Sequence, residues 1–307
     1  MDNAGSRALP ARVCPPPRAR LQPSVRSRPR VGVVIGSGAA QCAASVGVLH
    51  VLEREGVPVD VVVGCSGGSI YAALHALGVR PGEAADLTEQ FWDHRVMARR
   101  DRRALLSTLL PRAFRFSREF GLVHDGPLGD ALRPTFGDRT FGEAGTPLRI
   151  TATDVQTGER TVLSSGSVFD AIRASVAVPF VWKPWRVDGR LLCDGCLSDP
   201  LPVDVAVEAG ADVVVAVGFD AVRPRRITTA MRFTFNVTGV YTNSLLRASF
   251  ERHCLSTAAA VVPVFPTFDR PVGLAGAKRL REVIQRGQVA AEAALPDLQR
   301  QLAAACA

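Results

Sequence analysis

Gly64-Cys65-Ser66-Gly67-Gly68 is the segment of this 307-residue chain whose residue types and spacing most directly suggest chemistry. The pattern Gly-x-Ser-x-Gly follows an apolar run, Val59 to Val63, and precedes a helix-like stretch, Ser69 to Leu77. At such a junction a sharp backbone turn projects one side chain, and its neighbours two residues away must be tiny. The helix that follows aims its N-terminal N–H groups and positive dipole end at the reacting atom, favouring alkoxide and oxyanion charge. Ser66 is therefore a candidate nucleophile, with Gly64, Gly67 and Gly68 forming the elbow. The competing reading is a glycine-rich turn that binds nothing.

A second glycine-rich segment, Gly36-Ser37-Gly38-Ala39-Ala40, follows another apolar run, Val31 to Ile35. As a dinucleotide fingerprint it fails, because the third glycine of G-x-G-x-x-G would fall at Gln41. No acid clearly ends the next strand, where a ribose-binding group belongs. As an oxyanion hole, small residues at Gly36, Ser37, Gly38 and Ala39 would expose backbone N–H groups toward a tetrahedral intermediate. The elbow directly after the next strand favours that reading. A serine nucleophile needs a base, and His50, His75, His94, His124 and His253 are formal candidates. None has an informative neighbourhood. Asp194, in a loop after the strand-like Arg190 to Cys193, is the alternative. Its pKa in water, about 3.9, is too low for the task, but a dry site raises it.

The elements that must position these groups read as alternating strands and helices. Val31 to Ile35, Val59 to Val63 and Val213 to Val217 are continuous β-branched runs typical of buried parallel strands. Leu148 to Thr153 and Thr161 to Ser164 flank a hairpin-like Asp154-Val155-Gln156-Thr157-Gly158, and Val187 to Cys193 reads as a further strand. Helices are expected up to Leu52, over Asp204 to Glu208 and over Ala277 to Leu302, with Gly56 and Gly78 as stops. Arg80 to Asp138 reads as mostly helical and polar, with Arg99, Arg100, Arg102 and Arg103 on a solvated face. The class is α/β with a mainly parallel sheet, and no repeat or internal linker appears after residue 30.

Composition bounds the rest. The chain is 47% hydrophobic and 21% charged, which excludes collagen-like and wholly disordered classes. The net charge of +8 is concentrated at the N-terminus. There Arg7, Arg12, Arg18, Arg20, Arg26, Arg28 and Arg30 stand against the single acid Asp2. With Pro15-Pro16-Pro17 and no apolar run, residues 1–30 are expected to be a disordered tail, and residues 31–307 a single domain. No signal-peptide pattern, bilayer span or basic stripe with interleaved aromatics is present, so a soluble, cytoplasmic protein without nucleic-acid contacts is expected. Seven cysteines fit a reducing compartment. Cys193 and Cys196 have CxxC spacing but no companion pair for zinc, so small buried thiols are expected and no metal or cofactor.

Taken together, these motifs resemble those of the bacterial patatin-like phospholipases. Gly36-Ser37-Gly38-Ala39-Ala40 with Val46-Gly47-Val48-Leu49 is similar to the family's oxyanion block, and Gly64-Cys65-Ser66-Gly67-Gly68 to its elbow. Ala171-Ile172-Arg173-Ala174-Ser175-Val176-Ala177-Val178-Pro179, and then Asp188 to Gly195 followed by Asp199-Pro200-Leu201-Pro202-Val203, are similar to its later blocks. The resemblance runs from about Val31 to Phe219. It implies a three-layer α/β/α fold and a Ser66–Asp194 dyad without histidine. It also implies an acyl-enzyme formed on a phospholipid or other fatty acyl ester, with peripheral contact at a membrane or lipid droplet. Two departures stand at Gln41 and Cys42, where the family usually has a basic residue and glycine, and Cys196 replaces a small residue after Asp194-Gly195. The alternative is a weakly active or non-catalytic acyl-binding protein.

Overall fold

The computed structural model describes residues 28–93, 95–110, 112, 117–220, 227–270, 272 and 279–306. The expected tail up to residue 27, His94, and the Ala277 start expected for the last helix lie outside the described residues. Eight strands form one sheet. They are β1 (Val31–Ile35), β2 (Val61–Cys65), β3 (Leu148–Asp154), β4 (Arg160–Leu163), β5 (Trp185–Val187), β6 (Arg190–Asp194), β7 (Val213–Val217) and β8 (Ala260–Val264). Their order is β5-β6-β3-β2-β1-β7-β8, with β4 also paired to β3. The run β3-β2-β1-β7-β8 is parallel, and β4, β5 and β6 are antiparallel to their neighbours.

The β-branched strands alternate between two cores. Val31, Val33, Ile35, Val62, Val213, Val215 and Val217 point to one face, under α1 (Ala44–Arg54), α2 (Gly67–Ala76), α3 (Pro81–Phe91) and the helices described next. Val34, Val61, Val63, Val214 and Ala216 point to the other. The first layer also holds α4 (Arg95–Ala98), α6 (Gly126–Phe136), α7 (Val168–Ser175) and α10 (Leu280–Cys306), with α5 (Arg102–Leu109) following α4 in the chain, whereas α8 (Val203–Glu208) and α9 (Ala230–Ser256) cover the second face. Both faces of the central strands are thus buried, as continuous apolar strands require. The architecture is three-layered, α/β/α.

Several boundaries differ from expectation. β2 starts two residues later than expected, because Asp60 is spent on other bonds. Its carboxylate accepts from Val31 N at 2.8 Å and from both guanidinium nitrogens of Arg28 at 2.7 and 2.8 Å. Arg28 to Arg30, placed in the expected tail, are therefore attached to the sheet; Asp212 further accepts from Arg30 N at 2.7 Å. The single strand expected over Val187 to Cys193 is a hairpin. Asp188 (φ 48°) and Gly189 (φ 77°) lie in the left-handed region, the conformation of a tight two-residue turn. Neither α9 nor β8 was anticipated. The polar stretch over Arg80 to Asp138 contains buried Phe91, Leu132 and Phe136 and is not wholly solvated.

The last helix crosses α1 with backbones nearly in contact. A Cβ at Gly287 would collide with the carbonyl of Ala44, and one at Gly47 with the carbonyl of Ile284. Gly287→Ala must therefore push α10 outward. It is expected to destabilise the protein by about 1–3 kcal/mol, read as a lower urea midpoint at unchanged slope.

Candidate active site

β3 acts as a splint for the site. Its residues Ile150 to Thr153 pair with β4 along one edge, so β2 and β6 share the other. They meet there end to end: Cys65, the last residue of β2, lies opposite Thr151, and Asp194, the last of β6, lies opposite Ala152. Adjacent residues of one strand thus bring together two chain segments 128 residues apart.

Beyond Cys65 the chain turns abruptly. Ser66 has φ 53° and ψ −130°, an unfavourable backbone for a side chain with a Cβ, and α2 starts at the next residue. Gly64 is required because a Cβ there would stand 2.5 Å from Ser69 Cα, and Gly68 because its Cβ would strike the carbonyl of Ile35. Gly67 packs as closely against Ala39, since a Cβ there would stand 2.7 Å from its carbonyl oxygen. The Ser66 N–H donates to Ser175 Oγ at 2.8 Å, Ser175 donates onward to Thr151 O at 2.7 Å, and Ser69 Oγ donates to Ser66 O at 2.6 Å. These bonds hold the elbow in its strained form.

The Ser66 hydroxyl donates to Asp194 Oδ2 at 2.7 Å, and Cys196 N donates to Asp194 Oδ1 at 2.9 Å. Asp194 is completely buried. Burial pushes its carboxyl up to about 6, against the opposing effect of hydrogen bonds from Cys196 and Ser66. Its backbone is fixed as well, since Asp194 N donates to Ala177 O and Thr153 Oγ1 donates to Asp194 O. Among the described residues no histidine bonds to Ser66 or Asp194. His50 and His124 are exposed, His75 on α2 lines a separate cavity that does not include Ser66, and His253 belongs to a different cluster.

The expected oxyanion segment lies alongside. The N–H groups of Gly36 and Ser37 donate to Val217 O at 2.9 Å and Pro200 O at 2.8 Å, so they anchor the loop rather than remain free as donors. Among the described residues, Gly38 and Ala39 N–H make no backbone hydrogen bond. Ala39 is in the left-handed region (φ 48°). Cys42 Sγ donates to Gly36 O at 3.3 Å and Gln41 Nε2 to Asp220 O at 3.1 Å, so both departing residues are tied into the loop. Cys193 and Cys196 are free and buried, as the residue pattern suggested.

Ser66 opens into an apolar pocket of about 430 Å³ including its mouth, walled by Ile70, Phe91, Trp92, Leu128, Val176 and Trp182. The pocket offers hydrocarbon-like lining beside one hydroxyl, which suits a ligand with an apolar chain and one polar reacting group.

A cluster that sequence reasoning missed braces the segment after Asp194. Asp199 accepts from Ser249 Oγ at 2.8 Å and Arg160 at 3.0 Å, and His253 Nε2 lies 3.0 Å from it. Arg160 also forms a two-pronged pair with Asp204. Burial pushes the Asp199 carboxyl up, but the His253 and Ser249 hydrogen bonds and the Arg160 charge outweigh it and hold the carboxyl low. Asp199, Asp204 and His253 have the residue types of a metal site, yet Arg160 already supplies the cation between the carboxylates. Asp199 N donates to Gly195 O, and Cys65 Sγ to Asp199 O, so the cluster clamps the segments that carry Ser66 and Asp194. No local signal marks it, because its members come from β4, the loop before α8, α8 itself, and α9.

Comparison with known proteins identifies the family of the chain. The family model for patatin-like phospholipases matches residues 33–207, and the chain belongs to that family. An uncharacterized NTE family protein of Mycobacterium tuberculosis is 29% identical over 247 residues, covering 80% of this chain and 64% of that protein. Patatin-like phospholipase domain-containing protein 6 of Homo sapiens is 30% identical over 189 residues, 61% of this chain and 13% of its own length. Lysophospholipase nte1 of Aspergillus fumigatus is 31% identical over 191 residues, 61% of this chain and 12% of its own. The chain therefore spans less than two thirds of the length of these relatives.

The raised Asp194 carboxyl has a consequence for stability. Its folded pKa, about 6, exceeds the ordinary 3.8, so the ionised form opposes folding. That opposition is full above pH about 6, fades between about 6 and 4, and is absent below, with a ceiling of about 3 kcal/mol. Asn retains the shape without the charge. Asp194→Asn is expected to be more stable than wild type at neutral and alkaline pH, the difference closing as pH falls toward 4, as followed by urea denaturation.

Proposed function

We propose that the chain is a lipid acyl hydrolase that cleaves the fatty acyl ester of a phospholipid or related lipid through an acyl-enzyme on Ser66. The observation that carries this reading is the 2.7 Å hydrogen bond from Ser66 Oγ to the buried Asp194 carboxylate at an apolar pocket. Asp194 takes the hydroxyl proton as Oγ attacks the ester carbonyl, then returns it to the departing alcohol. A water deprotonated by the same carboxylate attacks the acyl-serine and regenerates the hydroxyl. A pKa near 6 leaves Asp194 ionised at neutral pH and makes it a stronger base than an aqueous carboxylate.

The developing oxyanion is held by the N–H groups of Gly38 and Ala39 and the positive end of α2, in a loop framed by Gly36 and Ser37. The acyl chain occupies the pocket under Phe91, Trp92 and Trp182. The named relatives support the substrate class: one is a lysophospholipase and another a patatin-like phospholipase domain-containing protein. Among the described residues no helix is long and apolar enough to cross a membrane.

Fluorophosphonate labelling is the direct test. Wild type should label and Ser66→Ala should not, and turnover of a soluble butyrate ester should fall on the order of 10⁴-fold in Ser66→Ala and Asp194→Asn. In wild type, kcat/KM should climb with pH through about 6 as Asp194 ionises. Folded wild-type protein that neither labels nor turns over ester would leave an acyl-binding protein in place of an enzyme.

A further inference from the structure

Helix α5 wears its apolar face outward. Ala104 and Ser107 are buried against the protein, whereas Leu105, Leu106 and Leu110 are 54%, 40% and 55% exposed. An eight-residue helix that turns Ala104 and Ser107 inward and Leu105 and Leu106 to water is the reverse of an ordinary surface helix. Phe180, 60% exposed, extends the same surface. Its carbonyl accepts from Leu122 N at 3.0 Å, and Leu122 O in turn accepts from Asp101 N, the cap of α5.

Positive charge is concentrated beside these side chains, in the first turn of α5 and just before it. Arg99, Arg100, Arg102 and Arg103 are all exposed. Among the described residues none of them has a carboxylate partner, because the nearby acids are engaged elsewhere: Asp101 with Lys183, Asp93 with Arg95 and Glu119 with Arg186. Clustered apolar anchors beside an uncompensated cationic run complement a surface that is oily beneath and anionic above.

The patch also shares a wall with the pocket. Val178 and Trp182, two residues to either side of Phe180, line it, as does Val96 of α4, three residues before Arg99. We propose that α5 and Phe180 dock the protein onto anionic phospholipid bilayers, leucines and phenylalanine inserted and arginines at the headgroups, so that the pocket mouth meets the lipid layer. The role in substrate delivery rests on the reading of Ser66 as an acyl-transfer nucleophile; the docking itself does not.

The test uses the full chain carrying Ser66→Ala, so that vesicles are not consumed, sedimented with phosphatidylcholine vesicles with or without phosphatidylserine. Binding is expected to the phosphatidylserine-containing vesicles. It should weaken on the order of 100-fold or more when Arg99, Arg100, Arg102 and Arg103 are all changed to Gln, and at least about tenfold in the pair Leu105→Gln, Leu106→Gln. All six positions are exposed, and soluble butyrate turnover by the same surface variants with Ser66 restored checks that the fold and site survive. Undiminished binding by both surface variants would overturn the proposal and leave attraction to the Arg-rich N-terminal segment. Equal binding to vesicles without phosphatidylserine would overturn the anionic requirement. Surface-dependent binding with no butyrate turnover by wild type would instead refute the catalytic reading and leave the docking intact.

Discussion

The buried contact between Ser66 and Asp194 constrains the structure around it. A carboxylate excluded from water is unfavourable unless its oxygens are satisfied. Both are: Oδ2 by the serine hydroxyl and Oδ1 by Cys196 N. That arrangement works only while β2 and β6 end on neighbouring residues of β3, since a shift of one residue would turn Asp194 to the opposite face of the sheet. The antiparallel hairpin appended to a parallel sheet is thus a way of delivering a carboxylate to the carboxyl end of a parallel strand, where the turn into a helix projects the hydroxyl.

The same contact explains the small residues around it. Cys65 and Cys196 are buried thiols whose own ionisation is strongly opposed by burial and by the nearby Asp194 charge. They behave as compact apolar packing that keeps water from the carboxylate while leaving space for the backbone to bend. Gly195 is part of the same economy of space, since a Cβ there would stand 2.5 Å from Thr151 O. Stability is given up at both groups, through a strained backbone at Ser66 and a desolvated charge at Asp194, and is recovered in the two apolar layers that the sheet divides.

How much of this was legible in the chain depends on whether a feature is local. β1 and β7 are continuous β-branched runs, because strands buried on both faces have no polar side to reveal. Ser66 and its glycines follow from the sterics of one turn, which is also local. The hairpin at Asp188-Gly189 had a strong turn dipeptide, but its short strands read as one. β8 was hidden by Pro263, which is tolerated because β8, among the described residues, is an edge strand paired with β7 alone. α9 lacks a clean helical stripe because Phe233, Val237 and Tyr241 are exposed. Which loop N–H groups are free depends on Val217 and Pro200, and the Asp199 clamp on His253, 54 residues away. Neither could be read from neighbouring residues.

Gln41 and Cys42 show how such a loop accepts substitution. A cysteine where the family usually has glycine adds bulk beside the backbone that Ser66 faces, and bulk alone would distort it. Here the added thiol turns inward, is fully buried, and donates to the carbonyl of Gly36. The carbonyl of Gly36 belongs to the residue whose N–H is bound by Val217, so both sides of that peptide position are held. Gln41 fastens the same turn to Asp220 through its side-chain amide. The two residues therefore replace conformational freedom with internal hydrogen bonds, and the loop remains pressed against the elbow at the contact between Ala39 and Gly67. What matters for the site is the path of the backbone from Gly36 to Ala39, and more than one set of side chains can hold it there.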